Sequence, residues 1–223
     1  MRVPPWATIL FFLLLAGAAP ALAAGECRAS KPPVVKLVVK EGTLDYDYNL
    51  GVEQIEALAQ KKAKSVHGTL GRVRGLTAAQ MQIQFSNGVN IQRLGNNRFC
   101  LVLADVTAVL GYTRTTVYVD RRYRRGTCEF NAILDHENTH VKINREMLKR
   151  SAPGLKAALE KAVTRVSALV ADNVTTGKKQ QMALLQKQIA AQIEASNAAR
   201  DRANAVIDTL ASYRATQAKC RNW

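Results

Sequence analysis

Apolar and polar positions change period along the chain, and each change predicts an element. After Lys31-Pro32-Pro33, which marks a linker, residues 34–39 form a short apolar run that predicts a strand. Over 51–64, Val52, Ile55, Leu58 and Ala59 fall on one helical face. Met81, Ile83 and Phe85 then alternate with glutamines, Asn87-Gly88 supplies a strong turn signal, and Val89 and Ile91 resume the alternation, so a hairpin is expected. Residues 99–106 and 113–120 read as two further strands.

The second half has helical spacing. Residues 129–150 contain no Pro or Gly, and Ile133, Leu134, Val141, Met147 and Leu148 make an apolar stripe. Ser151-Ala152-Pro153-Gly154 reads as a break, followed by a second helix through Leu155, Leu159, Val163, Val166 and Leu169 and a loop at 172–177. Residues 178–215 again lack Pro and Gly and predict one long helix, apolar at Met182, Leu185, Ile189, Ile193, Val206, Leu210 and Tyr213. No heptad persists and no internal repeat is present. The expected fold class is α+β, with a small mixed sheet packed on the helix at 129–150. The expected organisation is a domain at 24–170 followed by a helical C-terminal extension at 171–223.

Residues 1–23 have the form of a secretory signal peptide: Arg2 in a short basic opening, an apolar core at 7–19, and Ala21-Leu22-Ala23 as the cleavage site. That core is too short to span a bilayer, and no later stretch approaches the roughly 18 apolar residues needed, so no transmembrane segment is expected in the mature chain. Glu26 before Cys27 argues against a lipid anchor. The expected location is periplasmic or secreted. In that compartment Cys27, Cys100, Cys128 and Cys220 imply two disulfides, with three connectivities open, and their spacings do not form a cysteine zinc cluster. A bridge between Cys128 and Cys220 would tie the tail to the helix that follows Cys128.

The formal net charge is +15 for the whole sequence. Its densest run is Arg121-Arg122-Tyr123-Arg124-Arg125, with more lysines at 61, 62, 64, 178 and 179. Such a chain favours anions, either acidic residues of a peptide or anionic envelope polymers, although a run of this kind is also what an ordinary solvated loop carries. Nucleic acid is a poor partner for an exported chain and no nucleic-acid-binding motif is present.

One motif names a chemistry. Of the three histidines in the sequence, two fall in His136-Glu137-Asn138-Thr139-His140, an HExxH pattern inside the helix at 129–150. Four helical residues turn the chain by about 400°, so His136 and His140 share a face about 6 Å apart along the axis, where two imidazoles can hold one zinc ion. Glu137, one step round, is placed to act as general base on water.

The motif resembles that of the zincin metallopeptidases, whose fuller pattern wants uncharged residues near the ligands. Leu134, Asn138, Thr139 and Val141 comply, whereas Lys142 stands where that family usually carries an apolar residue. Residues 33–150 also look like an uncharacterised bacterial family of predicted secreted zinc-dependent proteases, most specifically around 128–148. The resemblance implies a zinc-dependent peptidase needing a third protein ligand. Glu160 lies twenty residues after His140, the gluzincin spacing, and is reached if the chain reverses at 151–154. Glu146 lies ten after His136, a metzincin-like position, but Ile143 replaces the glycine at which those enzymes bend. His67, an aspartate, or no third ligand complete the options. The stretch 113–120 is the candidate edge strand for an extended peptide. Tyr123, Arg145, Tyr213 and His67 are candidate oxyanion donors.

Two functions follow. The first is an exported zinc-dependent peptidase with His136, His140 and Glu160 as ligands, Glu146 as the alternative third, and Glu137 as base. Its substrate would be a peptide or a cell-wall peptide crosslink. The second is a non-catalytic basic protein that binds anionic envelope polymers.

Overall fold

A computed structural model describes residues 27–62, 74–221 and 223. The signal-peptide reading of 1–23 and His67 fall outside them. In chain order the elements are β1 (Val34–Lys40), β2 (Thr43–Asp47), α1 (Val52–Lys62), β3 (Gly75–Arg93), β4 (Phe99–Val119), α2 (Cys128–Arg165), β5 (Ala168–Ala171), α3 (Val174–Ala205) and α4 (Leu210–Gln217).

The five-stranded sheet is organised by β4. β3 runs antiparallel along one side of it, from Gly75 opposite Val119 to Arg93 opposite Phe99. The other side is taken by three short strands in succession: β5 antiparallel on Phe99–Val102, then β1 and β2 parallel on later stretches. The sheet is therefore mixed, and helices α2 and α3 cover one face, as an α+β arrangement requires.

A 21-residue strand cannot keep one face buried by alternation alone while it twists. Two register shifts against β3, at Ala79/Met81 and Gly88/Val89, correct the phase. The buried positions of β4 run Leu101, Leu103, then Val106, Ala108, Leu110, Tyr112, then Thr115, Val117, Val119. Each shift adds one residue to β4, so the apolar set returns to the helix-covered face. This is why the sequence pattern resembles two strands where there is one. Gly111, at the centre, allows the close approach of β1, since an added Cβ would strike the Lys40 backbone.

The hairpin turn is not at Asn87-Gly88. Those residues lie inside β3, at a bulge where the Gly88 N–H donates to Asp105 Oδ1 at 3.3 Å. The chain reverses instead at Asn96 and Asn97, whose φ values of 59° and 57° give the left-handed pair that suits a tight hairpin. The stretch 113–120 is likewise no edge: Thr115–Val117 pairs with β2 on one side and β3 on the other, so it has no free backbone for a peptide.

α2 begins at the Thr127 cap, whose side chain accepts from the Phe130 amide, and runs 38 residues through Pro153. The expected break at 151–154 is absent because the apolar stripe continues across it. Leu148, Leu155 and Leu159 are all buried against the sheet and α3. A proline inside a helix costs about 3 kcal/mol, whereas each buried Leu or Val returns about 1.5–3 kcal/mol. The helix expected to continue through Leu169 ends at Arg165, and 168–171 instead forms β5. Asn173 then caps α3 by accepting from the Thr176 amide, so the loop expected at 172–177 contracts to two residues. Leu185 and Ile189 of α3 join Leu159, Val163, Val106 and Ala108 in the same core.

The expected long helix at 178–215 is interrupted after Ala205, and α4 starts afresh at the Thr209 cap. Disulfides join Cys27 to Cys100 and Cys128 to Cys220, the second linking the start of α2 to the residue just beyond α4. Among the described residues no helix is long and apolar enough to cross a membrane.

Replacing Gly111 by Ala should force β1 away from β4 and destabilise the fold by about 1–3 kcal/mol. Urea unfolding would read this as a lower midpoint at unchanged slope; an unchanged midpoint would contradict the close approach.

Candidate metal centre

Helical spacing brings His136 and His140 together as expected: their rings lie 5.0 Å apart, nearly perpendicular, on the face of α2 turned toward α4. The carboxylate that meets them comes from the interruption between α3 and α4. Asp208 Oδ1 lies 3.3 Å from His136 Nε2 and 3.1 Å from His140 Nε2. It also accepts the Tyr213 hydroxyl at 2.9 Å. One donor atom from each of His136, His140 and Asp208 lies within 4.8 Å of the others, so these side chains form a cluster able to hold a metal ion.

The surroundings fix the donors. Tyr213 lays its ring 5.2 Å from that of His136, and Asn204 Oδ1 lies 2.7 Å from His140 Nδ1. Burial opposes ionisation of Asp208, but hydrogen bonds with His136, His140 and Tyr213 outweigh it and hold the carboxyl well below its usual range. Burial likewise pulls His140 down, yet its bond with Asp208 and the charge of Glu137 win and raise it to about 8. Burial and the adjacent Asp208 carboxylate push the Tyr213 phenol up, so that it stays a donor.

Glu137 leaves α2 toward β3. The Thr77 hydroxyl donates to its Oε2 at 2.8 Å and also lies 2.9 Å from its backbone oxygen. Gly75 leaves room for the carboxylate, since an added Cβ there would come within 2.7 Å of Oε1. At 4% exposure, burial pushes the Glu137 carboxyl up, opposed by the charge of His140 and the bond from Thr77. A carboxylate with raised proton affinity is a stronger base than one in water.

The two glutamates suggested by spacing stand elsewhere. Because α2 does not reverse, Glu160 is twenty residues further along it, about 30 Å from His140 at 1.5 Å per residue. It is exposed and paired with Lys156 at 3.4 Å. Glu146 lines a separate groove of about 420 Å³ with Leu44, Tyr46, Asn138, Val141 and Arg145. Among the described oxyanion candidates only Tyr213 reaches the cluster. Tyr123 packs edge-on to Trp223 and Arg145 pairs with Glu41. Within the arginine run, Arg122 bridges to Asp120 at 2.9 Å and Arg125 lies over the Tyr48 ring.

Asp208 was not singled out by spacing because its nearness to the histidines depends on how α4 folds back. A local signal was present: Asp208-Thr209 followed by Ser212 is a capping pattern that can restart a helix within an otherwise uninterrupted stretch.

Comparison with family models, curated proteins and solved structures finds no match to this chain. An HExxH helix against a mixed sheet, with a carboxylate completing a cluster of three donors, is consistent with a zincin-like metalloprotein. Two imidazole nitrogens and one carboxylate oxygen are a donor set suited to a divalent transition ion with an open position.

Asp208→Ala should weaken zinc binding by at least about 100-fold, whereas Glu160→Ala and Glu146→Ala should leave it within about threefold of the unaltered protein. Competition against a chromophoric chelator measures all three, and equal losses in Asp208→Ala and Glu160→Ala would contradict the cluster.

Proposed function

We propose that the protein is an exported zinc-dependent peptidase that hydrolyses a peptide bond in a peptide or cell-wall peptide substrate. The observation that supports this best is that Asp208 meets both HExxH histidines while Glu137 is held buried beside them. His136, His140 and Asp208 would hold the zinc. When bound, zinc would supply Lewis acidity to the scissile carbonyl and to water.

The chain's own residues account for the proton. Glu137 takes it from the attacking water as oxygen adds to the carbonyl carbon, and returns it to the amine nitrogen as the carbon–nitrogen bond breaks. Thr77 aims the carboxylate, and burial keeps its proton affinity high. Tyr213 donates its single hydroxyl hydrogen to Asp208, and would serve the developing oxyanion by transferring that hydrogen bond to it. Residues 75–79 of β3 pair with β4 on one side and reach Glu137 through Thr77, so this edge is where an extended peptide would lie. The two disulfides and the signal-like 1–23 support export.

Glu137→Gln should retain zinc and lose about 10²–10⁴-fold in hydrolysis of a mixed peptide library, read as new termini by mass spectrometry. Undiminished cleavage by Glu137→Gln would remove Glu137 as the base. A zinc-loaded parent that cuts nothing, but binds anionic polymer through Arg121–Arg125, would favour the basic envelope-binding protein.

A further inference from the structure

His140 is gripped at both ring nitrogens by one short piece of chain. Nε2 faces Asp208 Oδ1 at 3.1 Å and Nδ1 faces Asn204 Oδ1 at 2.7 Å. The two partners stand four residues apart, Asn204 in the last turn of α3 and Asp208 in the bend after it. A single displacement of this segment would therefore disturb both sides of the imidazole.

The direction of the Asn204 amide follows from its other neighbours. Its Nδ2 donates to the backbone oxygen of Arg200 at 3.0 Å and to Asn144 Oδ1 at 2.9 Å. A backbone carbonyl can only accept, so the amide nitrogen must face it and the amide oxygen must face His140. That oxygen in turn requires a hydrogen on Nδ1. Without a metal, Nε2 carries a second proton toward the Asp208 carboxylate; once that proton is displaced the neutral imidazole is the Nδ1–H tautomer, with its lone pair on Nε2. Asn144 is buried on α2 one turn beyond His140, and its backbone oxygen accepts from Tyr112 of β4 at 3.3 Å. Sheet, metal helix and α3 thus meet around one amide.

We propose that Asn204 is a positioning residue of the metal centre, selecting the tautomer and ring plane of His140 that present Nε2 to the ion. This rests on the metal-binding reading above. Asn204 and Asp208 then form a second half-site, four residues apart like the two histidines, with one residue orienting a ligand and the other supplying one.

The test uses the full oxidised chain with zinc alone as probe, comparing the parent with Asn204→Ala, Asn204→Asp and Glu160→Ala. Asn204→Ala should bind zinc about 10–100-fold more weakly. Long-range proton–nitrogen spectra should show its His140 losing the fixed Nδ1–H signature. Asn204→Asp keeps an acceptor for Nδ1 but loses the donor that faces Arg200 and Asn144, so it should keep the signature with an affinity between those of the parent and Asn204→Ala, while Glu160→Ala should match the parent. If Asn204→Ala fails to fold, Asn204→Leu, of similar volume and without an acceptor, takes its place: it should lose the Nδ1–H signature that Asn204→Asp keeps. The proposal is overturned if Asn204→Ala binds zinc within twofold of the parent with the tautomer unchanged. It is also overturned if a folded Asn204→Asp loses the Nδ1–H signature. A parent that takes up no zinc fails the metal reading itself, and the proposal falls with it; a parent that binds normally beside an indifferent Asn204→Ala fails the proposal alone.

Discussion

The backbone hydrogen bonds of β4 are the constraint on which the other elements depend. β3 occupies the whole of one side, and β5, β1 and β2 divide the other, so each neighbour takes its register from the same strand. The two shifts against β3 keep successive stretches of β4 presenting apolar residues to the same helices. α2 can then lie along one continuous surface. Val119 packs near Ile133 and Phe130 at the start of that helix, Tyr112 and Leu110 near Leu148, and Ala108 and Val106 near Leu159 and Val163. The position of the HExxH residues is thus tied to the sheet on both sides of the motif.

At the site, electrostatics replaces burial as the organising force. Asp208 Oδ1 is met by two imidazoles and a phenol, an arrangement that stabilises negative charge on the oxygen and positive charge around it. A proton on His140 and a metal ion draw on the same lone pair, so the raised proton affinity of that ring and its suitability as a ligand have a common origin. Glu137 is treated differently. It stands against Thr77, Gly75 and Ile133, where burial favours its neutral form, so one residue of separation along α2 divides a charge-stabilising cluster from a buried carboxyl of raised proton affinity.

Local physics made much of this legible. Helical periodicity around His136, Glu137 and His140 placed them on a helix, and the alternation of Met81, Ile83 and Phe85 placed a strand; the mixed sheet packed on the motif helix followed. The failures came where tertiary contacts outweighed local preference. Pro153 suggests a stop, but Leu148, Leu155 and Leu159 share a core that rewards continuing. Asn87-Gly88 suggests a turn, but Asn96 and Asn97 supply the left-handed pair and leave Gly88 to a bulge. Asp208 was hidden for a different reason: its neighbours are 68 and 72 residues away, and no spacing rule connects them.

That separation looks different when measured along covalent bonds. Following the backbone, Asp208 is 72 residues from His136. Through the Cys128–Cys220 bridge the route is eight residues on one side and twelve on the other. Shortening a flexible tether from 72 residues to about twenty lowers the entropy of closing it by about 1 kcal/mol, or roughly sevenfold in the closing equilibrium. If α4, which buries no residue of its own, lifts away, the Asp208 carboxylate just ahead of it remains on a short leash beside the histidines.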